Sequence, residues 1–321
     1  MKSGDHEPSG QTEAPAAAAP VAAPAGTQTP VQQALWLQRH AGNRVARQVL
    51  SRKPRTLARR VELREPGGKW PSAFARREEL VKRLNAQGIG VLFELGPANE
   101  LVGRLMDPTN ATPFERKMLE FIGKSEVLPL LMVTNEARTT EGYTSGQGQT
   151  VRFQKRVLVD SFSLGLFDLD DMLRSTDESF QLNMIHILTE RLSAKDYETN
   201  FPKNQLGASF HGGHEAALEA ELTHLRGMFG DQSIEFLGEW DDTSYATGNA
   251  FVAKIHHGSG TSRFTYKSKD EGYTIVHELT TSQKGEQAGA VYVIKKGENA
   301  SKRVPVAEFL AERGKVPASK G

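Results

Sequence analysis

The sequence predicts an α+β fold: a disordered N-terminal tail, a mixed central domain with two long helices, and a C-terminal antiparallel β region closed by a helix. Three observations carry this expectation. Residues 175–193 and 212–229 repeat apolar side chains at helical spacing. From residue 232 onward, short runs rich in β-branched and aromatic residues follow one another, separated by turns rich in Gly and Ser. A chain of 321 residues, 38% hydrophobic and 25% charged, has enough apolar material for one or two globular domains with extensions.

Residues 1–30, MKSGDHEPSGQTEAPAAAAPVAAPAGTQTP, lack large apolar side chains and are interrupted by Pro20 and Pro24. Such a segment cannot bury enough surface to offset its ordering entropy, so it reads as disordered. Its mixed-charge start is not that of a secretory signal. In residues 31–59, Leu35, Trp36 and Leu37 precede a break at Gly42-Asn43. Asn43 is a good N-cap for a second short helix with Val45, Val49 and Leu50 on one face. The basic residues that follow are interleaved with Glu62 and Glu65 and precede the first nearby aromatic residue, Trp70. Residues 52–64 therefore read as a solvated tether rather than a nucleic-acid arm.

The central domain, residues 60–231, reads as mixed. PSAFARREELVKRLNAQG has helical periodicity, GVLFEL is a strand candidate and ANELVGRLM a second helix. NATPFERKMLEFIGK announces a helix start, with Thr112 as cap, Pro113 in the first turn and Glu115 three residues after the cap. VLPLLMV reads as a buried strand, and TVRFQKRVLVDSFSLG suggests another, reached through the Gly-rich turn at 142–149. That turn lacks the Gly-Lys-Ser/Thr ending of a phosphate-binding loop. FDLDDML is a short helix, followed by a cap at Ser175 or Thr176 and a long helix; Gly230 stops the next one. In residues 232–321, the runs SIEFLGEW, FVAKIHH, SRFTYKS, YTIVHEL and AVYVIKK read as strands, and VPVAEFLAERG as the closing helix.

Composition removes several function classes. A net charge of +1 gives no overall attraction to nucleic acid, and the absence of cysteine removes disulfides, thiolate ligands and thiol nucleophiles. No run approaches the roughly 18 apolar residues of a membrane span, and no GxSxG elbow marks a serine nucleophile. HHGSG at 256–260 reads as a polar turn.

The chemistry-bearing residues cluster on the two long helices. His186 and Glu190 stand four apart, nearly opposite the stripe Met184, Ile185, Leu188 and Leu192. On their own they form an exposed pair contributing about 0.3 kcal/mol, although Leu182 flanks that face and suggests cover on both sides. His214 and Glu221 lie within the apolar stripe Ala217, Leu218, Leu222, Leu225 and Phe229, whereas His224 falls to the side and reads as surface. An ionisable pair on a buried face needs partners: a metal, a second histidine–carboxylate pair, or an arginine. If the helices pack polar face to polar face, His186, Glu190, His214 and Glu221 converge, and two imidazoles with a carboxylate are the minimum for a catalytic zinc. A buried ion-pair network and separate surface positions are the alternatives.

The run LQRHAGNRVARQVL, residues 37–50, resembles the LQRxAGNxAVxxLL signature of proteins associated with bacterial extracellular contractile injection systems, where it also follows a low-complexity tail. Many such proteins carry an HExxH metalloprotease-like domain. The string from VDSF through IHILTER to HEAALEAE resembles a domain found downstream of that signature. Against the HExxH pattern, His186 matches the first histidine, Ile187 replaces the general-base glutamate, and Glu190 stands where the second histidine would be. The third-ligand role falls to His214 or Glu221. HELTT at 277–281 is a chance match in a strand.

The resemblance implies a cargo, effector or accessory protein. It would be held in the bacterial cytoplasm, loaded into a contractile injection particle through residues 1–52 and delivered toward a target protein, with a degenerate metalloprotease-like domain. The residues themselves leave two alternatives, an active metal-dependent hydrolase and a non-catalytic protein-binding module built on residues 232–296.

Overall fold

The computed structural model describes residues 61–144, 150–203, 207–241, 261–280, 288–296 and 301–314. The tail, the LQRHAGNRVARQVL run, FVAKIHH, HHGSG and the centre of the 142–149 turn lie outside them. The described residues form an α+β fold.

Strand β1 (Val61–Arg64) pairs in parallel with β4 (Leu128–Val133), matching Val61 to Leu128. The charged run that the sequence offers as a tether therefore ends in a strand. Val61 and Leu63 are buried while Glu62 and Arg64 alternate outward, a period-two signal hidden by the surrounding charge. Next come helix α1 (Arg77–Asn85) and a hairpin of β2 (Val91–Leu95) and β3 (Leu101–Leu105), with Val91 opposite Leu105. ANELVGRLM is thus a strand where a helix is expected. Leu101 is buried, and a side chain on Gly103 would run into Leu119, so tertiary pairing overrides a weak helical pattern.

Helix α2 (Pro113–Ile122) has the capping box expected of Thr112 and Glu115: Thr112 Oγ1 accepts from Glu115 N–H at 3.1 Å, and Glu115 Oε2 accepts from Thr112 N–H at 2.7 Å. The fully buried Glu115 also accepts from Val91 N–H at 2.9 Å, tying the helix start to β2. Beyond a hairpin of β5 (Arg138–Thr144) and β6 (Thr150–Arg156), β7 (Asp160–Ser161) runs antiparallel to β8 (Leu166–Asp168). The sheet order is β1-β4-β8-β7, with no strand beyond β7 among the described residues.

After helix α3 (Leu169–Leu173), Thr176 caps helix α4 (Asp177–Ser193). Helix α5 (Tyr197–Asn200) leads to α6 (Gly207–Phe229), which Gly230 ends in the left-handed region at φ 58°. The C-terminal strands β9 (Ile234–Asp241), β10 (Thr261–Ser268), β11 (Thr274–Thr280), β12 (Gly289–Lys296) and β13 (Ser301–Pro305) form an antiparallel sheet in reverse sequence order. Helix α7 (Val306–Glu312) closes the chain as expected. Phe180, Leu188, Leu225, Tyr266 and Ile275 belong to one core, so α4 and α6 pack directly on this sheet.

A buried cation braces the parallel β4–β8 pair. Arg191, fully buried on α4, donates through Nη1 to the Pro129 carbonyl at 2.7 Å and through Nη2 to the Leu166 carbonyl at 2.9 Å. No helix among the described residues is long and apolar enough to cross a membrane. We expect Glu115→Ala to lower unfolding stability by about 3 kcal/mol in urea denaturation, because it removes a cap and strands the buried Val91 N–H.

Candidate metal centre

Contacts between α4 and α6 run in opposite directions along the two helices: Gln181 meets His224, His186 meets Glu221, and Glu190 meets His214. Rising numbers on one side and falling numbers on the other define an antiparallel pair. At the Glu190 end, a Cβ on Gly213 would lie 3.0 Å from the Glu190 carbonyl oxygen, so the missing side chain allows the close approach. Helix α4 is covered nearly all round: Leu182, Ile187, Glu190 and Arg191 are buried along with the main stripe, and the exposed-pair reading of His186 and Glu190 does not hold.

The four residues singled out in the sequence therefore come together. Nitrogens of His186 and His214 and a carboxylate oxygen of Glu190 lie within 4.8 Å of one another and can hold a metal ion. Glu190 Oε1 stands 3.4 Å from His214 Nδ1 and 3.9 Å from His186 Nε2. Tetrahedral ligands about 2.0–2.1 Å from zinc stand roughly 3.4 Å apart, so small side-chain adjustments suffice. Glu190 Oε1 is buried and accepts no well-formed hydrogen bond.

Glu221 has a different place from the one a ligand set would give it. Its Oε1 lies 2.7 Å from His186 Nδ1, the nitrogen facing away from Glu190, and its Oε2 accepts from the Tyr266 hydroxyl. His214 is held in the same way, with Nε2 3.2 Å from Glu239 Oε2. Each imidazole is thus oriented by a carboxylate through one nitrogen and presents the other to Glu190, the outer-shell arrangement of metal-binding histidines. Neither Glu239, on β9, nor Tyr266, on β10, carries a local sequence signal; strand pairing delivers both.

Electrostatics follow from this geometry. Burial opposes charge on His186, but Glu221 outweighs it and raises the pKa. Glu190 and then Glu239 push His214 up to about 10. Burial would raise Glu221, yet the His186 imidazole draws it below the ordinary carboxylate range. Two imidazolium protons facing three carboxylates carry the same charge as one divalent cation with neutral imidazoles.

The cluster opens into a cavity of about 320 Å³, whose lining includes Asp160, Phe162, Phe210 and Phe264. Asp160 lies 3.4 Å from Arg191 Nη2, and burial pushes its pKa up to about 6 against the pull of that guanidinium. Just before it, Val159 sits in the left-handed region at φ 62°, a strained conformation for a β-branched residue. Asp171 holds it there by accepting the Val159 N–H at 3.1 Å, while also pairing with Arg156 and Arg174. His277 lies on β11 as expected, fully buried with Nε2 2.9 Å from Ser179 Oγ, and burial lowers its pKa to about 4 with Glu221 opposing.

No family model, curated protein or solved structure matches this chain.

His224 corrects a sequence expectation: it is buried rather than on the surface, bonded to Gln181 Oε1 at 2.9 Å and edge-on to Phe114. Burial lowers its pKa to about 4, with Glu221 opposing. This neutral histidine is not a liability above about pH 6.5. As pH falls toward about 4, the unfolded chain takes the proton first and stability drains away. We expect stability to shift in favour of His224→Gln by roughly 1–2 kcal/mol between pH 7 and pH 5, read by urea unfolding at both pH values.

Proposed function

We propose that His186, Glu190 and His214 hold a zinc ion and that the protein is a metal-dependent, peptidase-like hydrolase. One observation carries the reading: three ligand-type groups from two helices converge, and the outward nitrogen of each imidazole is held by a carboxylate. Two imidazole nitrogens and a carboxylate oxygen suit zinc. Zinc bound there would supply a Lewis acid for a carbonyl oxygen. Glu221 and Glu239 keep the rings aligned, and Asp160 and Ser161 of β7, the last strand of its sheet among the described residues, line the same cavity. Ile187 removes the usual base from its helical position, so proton transfer falls to Asp160, the carboxylate that lines the same cavity beside Arg191. The same Ile187 favours a second reading, a degenerate site that keeps its ion without turnover. Zinc-dependent cleavage of casein that Asp160→Asn abolishes while zinc is retained would support hydrolysis; zinc-loaded protein without cleavage would support the degenerate site.

The resemblance of LQRHAGNRVARQVL supports the wider role, cargo of a contractile injection particle recruited through residues 1–52. Removal of those residues is expected to abolish co-purification with the particle; unchanged association would overturn this part.

Purified protein is expected to contain one equivalent of zinc by elemental analysis, falling to background in His186→Ala and His214→Ala. Glu221→Gln is expected to weaken zinc binding about 10–100-fold. Affinity should rise from pH 6 to pH 8, because both imidazoles must shed their protons to bind. Well-folded wild-type protein that takes up no zinc would end the proposal.

A further inference from the structure

We infer that the Phe162–Phe210 wall beside the metal cluster is a subsite for an aromatic or large aliphatic side chain of an extended peptide. This inference rests on the metal-centre reading above.

Phe210 lies one helical turn before His214 on α6, and its ring stacks on that imidazole at 5.4 Å with 18° between the planes. On another side it meets Phe162 at 5.7 Å. Phe162 is itself only 6% exposed and packs on Tyr197, whose hydroxyl donates to the Phe162 carbonyl at 2.5 Å. Tyr197 in turn stacks on Phe201. Phe210 thus rests on a rigid aromatic cluster and a candidate ligand, yet remains 39% exposed. A lone exposed phenylalanine is ordinary. This one is anchored on two sides and lines the cavity together with Phe162.

Charge in the cavity points the same way. Three of its carboxylates are already engaged, Asp160 with Arg191, Glu221 with His186 and Glu239 with His214, and the fourth, Glu190, faces the two imidazoles as a candidate ligand. A basic side chain would have to break one of these pairs, and an acidic one would meet Glu190 and Glu239. An apolar side chain disturbs none of them and covers the open ring face. Phe162 also follows directly on Asp160–Ser161 of β7, and all three residues line the cavity. A peptide bound in the cavity with a carbonyl at the metal cluster would bring a neighbouring side chain to the wall. About 320 Å³ accommodates one large side chain beside a bound carbonyl.

Two hydroxamates that share a zinc-binding head and differ in a methyl or phenyl group test this. Acetohydroxamic and benzohydroxamic acid would be titrated calorimetrically into the zinc-saturated full chain. We expect the phenyl compound to bind roughly ten-fold tighter, from added apolar contact. The preference should fall to about two-fold or less in Phe210→Ala and persist largely in Phe210→Leu, which retains an apolar wall and guards against loss of folding. The ratio of the two affinities cancels any common change in zinc binding. Equal affinities in the wild type, or a ratio unchanged in Phe210→Ala, would overturn the subsite while leaving the metal centre standing. Absence of zinc uptake would overturn both.

Discussion

His186 and Glu221 lie 2.7 Å apart across the α4–α6 interface, Glu221 fully buried and His186 largely so. Stripping water from two ionisable groups costs several kcal/mol each unless their remaining polar atoms are satisfied. Here the Tyr266 hydroxyl takes the second Glu221 oxygen, and the free His186 nitrogen turns toward Glu190 and His214. This contact therefore ties the register of two helices to one strand of the C-terminal sheet. A shift of either helix by one residue would turn one partner away and leave a charge buried alone. The site and the packing of the molecule impose the same geometric demand.

Around that contact the protein stores both charge and strain. Carboxylates outnumber imidazoles in the cluster, and Glu190 Oε1 is buried without a well-formed hydrogen bond. It meets His214 Nδ1 at 3.4 Å as an ion pair and keeps hydrogen-bonding capacity to spare. Val159 adds a strained backbone one residue from Asp160, fixed by the Asp171 carboxylate. Strain and unmet hydrogen-bonding capacity thus meet in the lining of one cavity.

The helical half of this arrangement was largely legible in the sequence. The capping box of Thr112 and Glu115, the cap at Thr176 and the stop at Gly230 are local devices, and local chemistry specifies them. Helical spacing put His186 with Glu190 and His214 with Glu221 on definable faces. Strands were less legible where charge masked alternation, as at Val61–Arg64, or where a glycine and a leucine spacing of four imitated a helix, as at Leu101–Leu105. His224 read as surface because its angle leaves the main stripe, yet Gln181 and Phe114 close over it from neighbouring helices.

By itself, then, the sequence determined the α+β class, the two long helices and the residue types able to bind a cation, because capping and periodicity act within a few residues. Only the tertiary structure decided that Glu221 braces His186 instead of joining the candidate ligands, that Glu239 and Tyr266 arrive from the sheet, and that Asp160, Phe162 and Phe210 share the cavity. Those outcomes depend on strand pairing and helix crossing between segments tens of residues apart, where the energy of burial, and not local preference, selects the partner.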